Sequence, residues 1–138
     1  MISIGIADDD ALVRQTLREL LSKYDDIAVS WIAKDGQEAL DLFHSSEVEG
    51  TVQAVLVDVQ MPKMDGLALA KALLEEHPDT AILILTTFTA DSIVDDAMAL
   101  GVRGFVAKED GASSLAGAIR QAVAGNLVLS PTSSAIIS

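Results

Sequence analysis

Two spacings alternate along the chain. Short β-branched and aliphatic runs are separated by longer segments whose apolar residues recur at helical intervals. The runs are SIGIA (3–7), IAVSWIA (27–33), AVLVDV (54–59), AILILTT (81–87) and GFVAK (104–108). Those at 54–57 and 81–85 are almost wholly apolar, the pattern of strands covered on both faces. Between them, Val13, Leu17, Leu20, Leu21 and Tyr24 fall on one face of a first helix. Asp35 with Glu38 three residues on resembles a capping box and predicts a second helix to about Ser45. Leu67, Ala70 and Leu74 predict a third, ended by HPD; Ile93, Ala97 and Leu100 a fourth, ended by Gly101; Leu115, Ile119 and Ala122 a fifth, ended by Gly125. Five strands alternating with five helices predict an α/β, doubly wound, five-stranded parallel sheet with right-handed crossovers. The segment NLVLSPTSSAIIS (126–138) breaks the alternation. It reads as the start of a linker after a domain spanning 1–125.

Composition narrows the class. At 138 residues the chain fits one domain, and half of its residues are apolar, enough for a core. With no cysteine, it has neither disulfides nor thiolate chemistry. No apolar run approaches the roughly 18 residues that span a bilayer. The start, MISIGIADDD, lacks the basic region of a secretory signal. A cytoplasmic location with no membrane partner is expected. The formal charge of −12 argues against nucleic-acid binding by this chain alone, because phosphates are met by Lys and Arg.

Much of that charge serves solubility, but part of it converges. Open parallel sheets bind ligands at the carboxyl ends of their strands, where the strand order reverses. The first strand ends in Asp8-Asp9-Asp10, the third in Asp58, the fourth in Thr86-Thr87 and the fifth in Lys108. With a flavodoxin-like order 2-1-3-4-5, the first and third strands are neighbours, and Asp8, Asp9 and Asp58 share one crevice. Two carboxylates about 4 Å apart repel by roughly 4 kcal/mol at an effective dielectric near 20. A carboxyl held protonated would relieve this, and so would a bound hard cation. Asp9 and Asp58, with a backbone carbonyl expected from Gln60, suit Mg²⁺. Beside such an ion Asp58 can act as a nucleophile and form an acyl phosphate. Lys108 then supplies a fixed positive charge and Thr86 a hydroxyl for a phosphoryl oxygen.

ADDD, VDVQMPKMDG, LTTF and GFVAK, in this order and with helices of suitable length between them, resemble the receiver domain of two-component response regulators. VLTTFTAD, GVRGFVAKED and AIRQAVAGNLVLSP are similar to the NarL/LuxR type. The resemblance covers residues 1 to about 125. It implies that Asp58 is the phosphoacceptor of a partner histidine kinase and that Asp9 is a direct Mg²⁺ ligand. Asp8 would assist through water, Gln60 through its backbone oxygen. Thr86 and Lys108 would contact the phosphoryl group, and Phe105 would be an aromatic switch that turns inward when Thr86 moves. It further implies a phosphorylation-dependent homodimer and DNA contact only through a C-terminal helix-turn-helix domain absent from this chain. The role is regulatory rather than enzymatic, with slow self-catalysed phosphorylation and dephosphorylation at most. Two positions depart from the pattern. Glu109 replaces a common proline, and Asp10 stands where many members have His, either crowding the metal site or starting the first helix. A stand-alone receiver, serving as an interaction or phosphorelay module, is the alternative. Haloacid-dehalogenase-type phosphatases also use a strand-end Asp with Mg²⁺, but they carry a second Asp where this chain has Gln60.

Overall fold

The computed structural model describes residues 1–46, 52–59, 61, 64–86, 91–108 and 111–129. The strands are β1 (Ile2–Ala7), β2 (Ile27–Ala33), β3 (Ala54–Asp58), β4 (Ala81–Thr86), β5 (Gly104–Ala107) and β6 (Val128–Leu129). The helices are α1 (Ala11–Leu21), α2 (Gly36–Ser46), α3 (Gly66–Glu76), α4 (Asp91–Leu100) and α5 (Ala112–Val123). The sheet runs β2-β1-β3-β4-β5-β6, and every neighbouring pair is parallel. The predicted order 2-1-3-4-5 is therefore present, with a short sixth strand added at one edge.

Strand alternation divides the core in two. Ile4, Ile6, Leu56, Leu83, Leu85 and Val106 face Leu17 and Leu21 of α1 and Leu115, Ile119 and Ala122 of α5. Val55, Val57, Ile82, Ile84 and Phe105 face Phe43 of α2, Leu69, Ala70 and Leu73 of α3, and Ala97 of α4. A fully buried Leu or Ile contributes about 2 kcal/mol of apolar burial, so two filled layers hold the sheet between the helices. β3 is buried along its whole length. The edge strand β2 buries Ile27, Trp31 and Ala33 and leaves the residues between them partly or fully exposed, as an edge strand does.

Local chemistry sets the helix ends. Asp10 caps α1, its Oδ1 accepting from Leu12 N at 2.8 Å and Val13 N at 3.3 Å. Asp35 accepts from Glu38 N at 2.8 Å, and Glu38 Oε1 accepts from Lys34 N at 3.0 Å, a capping exchange that reaches one residue further back than expected. Gly101 (φ +97°) and Gly125 (φ +98°) follow the ends of α4 and α5 in the left-handed region that other residues avoid.

Two expectations are corrected. The buried face of α3 is Gly66, Leu69, Ala70 and Leu73 rather than Leu67, Ala70 and Leu74. Its sequence GLALAKALLEE is apolar on adjoining stripes, and the docking of Gly66 described below selects between them. Residues 128–129, read as linker, pair with Gly104 and Phe105 at the sheet edge. Val128 N donates to Arg103 O at 2.8 Å, so these two residues satisfy main-chain groups of the edge.

Candidate functional site

Register brings the acids together. Ala7 pairs with Val57 across β1 and β3, so Asp8 and Asp58, the next residue on each chain, leave the sheet side by side. Asp8 is fully buried and Asp58 is 5% exposed, whereas Asp9 faces solvent. One carboxylate oxygen from each of Asp8, Asp9 and Asp58 lies within 4.8 Å of the others, and the three form a group able to hold a metal ion. All its donors are hard carboxylate oxygens, which match a cation of the Mg²⁺ or Ca²⁺ class rather than a soft metal.

Lys108 closes the group from the β5 side. Thr86 pairs with Ala107, so Lys108 emerges one residue beyond. Its Nζ lies 3.1 Å from Asp8 Oδ2 and 3.2 Å from Asp58 Oδ1. Both buried acids thus share one ammonium, and three carboxylates around a single cation leave capacity for a second one. Burial pushes the Lys108 ammonium toward neutrality, but Asp8 and Asp58 together outweigh it and raise its pKa above the ordinary 10.5. The raised value gives the sign of the linkage. The stabilisation is complete below the ordinary lysine range and is lost as pH rises through the elevated folded-state value.

The backbone around the acids is pinned. Asp8 N donates to Ala33 O at 3.0 Å, and Asp10 N donates to Asp8 Oδ1 at 2.8 Å. The guanidinium of Arg14, on α1, donates through Nη1 to Asp8 O at 2.8 Å. On the other side of the crevice, Gly66 N donates to Val59 O at 2.9 Å. A Cβ at Gly66 would stand 2.1 Å from Asp58 O, so only glycine lets the start of α3 close against the strand end that carries Asp58. Asp65 caps α3 by accepting from Ala68 N at 2.8 Å. A cleft of about 510 Å³ lined by Asp9, Val59, Met61, Asp65 and Leu67 opens beside the acids.

The other expected residues are placed as follows. Thr86 ends β4, and its side chain lies outside the described residues, as does Gln60. Phe105 is 1% exposed and already sits inside the core layer shared with α3 and α4. Asp10, left open between crowding the metal and starting the helix, caps α1 and is not among the converging acids. His44, expected to carry no site chemistry, bonds Glu76 Oε2 at 2.6 Å far from the acids. Sequence reasoning missed Arg14 and Gly66. The available signals were an arginine one helical turn past the Asp10 cap and the Asp-Gly pair at 65–66.

Residues 4–120 match the family model for the response regulator receiver domain. The transcriptional regulatory protein YdfI of Bacillus subtilis is 33% identical over 131 residues, covering 95% of this chain and 59% of that protein. A protein-glutamate methylesterase/protein-glutamine glutaminase of Methanococcoides burtonii is 34% identical over 113 residues, covering 80% of this chain and 31% of that protein. Among solved structures, a LuxR-family two-component response regulator from Aurantimonas sp. SI85-9A1 superimposes with a TM-score of 0.85 at 27% identity, covering 96% of this chain and 92% of that one. The chain spans about three-fifths of the length of the curated transcriptional relatives it matches. With strand order, acidic group and strand-end lysine in agreement with this match, the chain belongs to the response regulator receiver domain family of two-component systems.

Proposed function

We propose that Asp58 accepts a phosphoryl group from a partner histidine kinase in a Mg²⁺-dependent reaction, and that the phosphorylated domain controls an effector beyond residue 138. One observation carries this reading: Asp8, Asp9 and Asp58 present oxygens within 4.8 Å of one another while Lys108 Nζ lies 3.2 Å from Asp58. Asp9 and Asp58, with the Gln60 carbonyl, are the residues that would hold Mg²⁺, Asp8 assisting through water. When bound, the ion neutralises charge on the phosphoryl oxygens.

The chain's own groups do the rest. A carboxylate oxygen of Asp58 attacks phosphorus, the P–O bond forms as the P–N bond of phosphohistidine breaks, and the leaving imidazole takes a proton. Asp58 is 5% exposed, so little reorganisation is needed to aim it. Lys108 follows the new negative charge and exchanges a carboxylate partner for a phosphoryl oxygen. Thr86 contributes a hydrogen bond made only after phosphorylation, the differential interaction that a population shift requires. Phe105, a core residue beside α3 and α4, would be the aromatic group that responds when Thr86 moves. The reaction makes the chain an acceptor and regulator rather than a turnover enzyme.

For the effector, the match to transcriptional regulators extends over 95–99% of this chain, whereas the methylesterase match covers 80%. That favours a domain that extends through β6 to about residue 129, a linker after it, and a C-terminal helix-turn-helix domain whose DNA binding and homodimerisation depend on phosphorylation. No described helix is long and apolar enough to cross a membrane, which suits a cytoplasmic regulator. The test is incubation with acetyl phosphate and intact-mass measurement. A single phosphoryl increment that requires Mg²⁺ is expected. Equal uptake in excess chelator would overturn the reading.

A further inference from the structure

Arg14 lies outside the phosphotransfer chemistry, yet its guanidinium reaches back from α1 to the turn that carries the acids. It is half-buried, and Nη1 donates to Asp8 O at 2.8 Å. The same turn is held at Asp8 N by Ala33 O at 3.0 Å and at Asp8 Oδ1 by Asp10 N at 2.8 Å. Asp8 O is the oxygen of the peptide that joins Asp8 to Asp9. Fixing that oxygen fixes the plane of the peptide, and with it the direction in which the exposed Asp9 carboxylate leaves the backbone. Among the described residues, Arg14 supplies the side-chain bond at this oxygen.

We propose that Arg14 is a positioning residue for the metal site: by holding the Asp8–Asp9 peptide it keeps Asp9 aimed at the position shared with Asp8 and Asp58. This rests on the reading of the site given above. Groups that orient metal ligands without touching the ion commonly change metal affinity by 10- to 100-fold when removed. The turn retains two other bonds, so the loss of Arg14 belongs at the lower end, about 10-fold.

The sign separates positioning from simple charge. Arg14 is a cation near an acidic group, and through-space repulsion alone makes it oppose a divalent ion. Arg14→Gln should then bind metal more tightly if charge were its only influence. Positioning predicts weaker binding despite the more negative site. Arg14→Lys keeps the charge and offers one donor, and should fall between the wild type and Arg14→Gln.

The experiment is a titration of Mn²⁺ into the 138-residue chain, with free ion followed by electron paramagnetic resonance and Mg²⁺ added as competitor. Circular dichroism and urea unfolding are recorded alongside. Arg120→Gln, which removes a surface ion pair with Asp26 at the opposite end of the sheet, serves as the stability control. Expected are about 10-fold weaker Mn²⁺ and Mg²⁺ binding for Arg14→Gln, partial recovery for Arg14→Lys, and wild-type affinity for Arg120→Gln. In acetyl phosphate reactions, Arg14→Gln should raise the half-saturating Mg²⁺ concentration while leaving the rate at saturating Mg²⁺ near that of the wild type. Unchanged or tighter binding by Arg14→Gln would overturn the proposal and leave the site reading standing. Should Arg14→Gln not fold, wild-type affinity in Arg14→Lys would overturn it. Failure of the wild-type chain to bind either ion would remove the site reading and this proposal with it.

Discussion

The two ends of the sheet treat charge in opposite ways. At the carboxyl ends of the strands, Asp8 and Asp58 are buried, crowded with Asp9, and share one ammonium that stands 3.1 Å from Asp8 and 3.2 Å from Asp58. At the amino ends, Arg120 grips Asp26 through two bonds of 2.7 and 3.0 Å in the open, with the guanidinium 5.4 Å from the Tyr24 ring centre. There the Asp26 carbonyl also accepts from Ile2 N at 2.7 Å, tying the starts of β1 and β2 together. Paired and solvated charges cost little and contribute little. Buried and surplus charges cost folding energy and persist where they serve chemistry. The fold thus places a stored electrostatic imbalance at one end and ordinary closure at the other.

The largest effect should come from Asp58→Asn. It removes the proposed nucleophile, so intact mass after acetyl phosphate treatment should show no phosphoryl increment. Relieving the crowding should leave the urea midpoint equal to or above that of the wild type. A midpoint well below wild type would show that the Asp58–Lys108 pair outweighs the repulsion among the acids, and would undo the contrast between the ends.

Next comes Gly66→Ala, whose added carbon meets Asp58 O at 2.1 Å. A backbone collision of this kind should cost about 3 kcal/mol in urea unfolding and slow acetyl phosphate uptake, because the displaced atom belongs to the proposed acceptor residue. Loss of stability with an unaltered uptake rate would separate α3 docking from the aim of Asp58.

Lys108→Met leaves three carboxylates without their internal cation. The side chain keeps 23% exposure, so the cost should be about 2 kcal/mol, below the range for breaking a fully buried pair. Added Mg²⁺ should return most of it by binding the folded state alone. No recovery with Mg²⁺ would deny that the acids can share an external ion.

The smallest effect belongs to the other end. The Arg120 side-chain bonds hold the Asp26 carboxyl below its ordinary 3.8. A lowered folded-state pKa means the stabilisation is present above the ordinary carboxylate range and is lost as pH falls through the folded value. Arg120→Gln should therefore differ slightly from wild type at neutral pH, and the two should converge in strong acid. A difference that grows on acidification would contradict this.

Much of the site was legible because strand ends leave a clear signature. Asp58 interrupts an otherwise apolar run, and Asp8 and Lys108 each follow one. The rotation of α3 was not legible. Leu67, Leu69, Ala70, Leu73 and Leu74 offer two apolar stripes, and the choice between them is made by the close approach of Gly66 to Asp58, a tertiary contact. β6 was read as linker because two residues before a Ser-Pro pair carry no periodicity; the unpaired edge of β5 recruits them. Arg14 gave only a weak signal, its place one helical turn past the Asp10 cap, since its partner is a backbone oxygen, and every residue has one.

The most direct test of the central claim is borohydride reduction of the acetyl phosphate-treated chain followed by peptide mapping. Borohydride converts an aspartyl phosphate to homoserine and so marks the acceptor in the sequence. The account predicts conversion at Asp58 alone, dependent on Mg²⁺. Conversion at Asp8, Asp9 or another residue, or at Asp58 without a divalent ion, would contradict it.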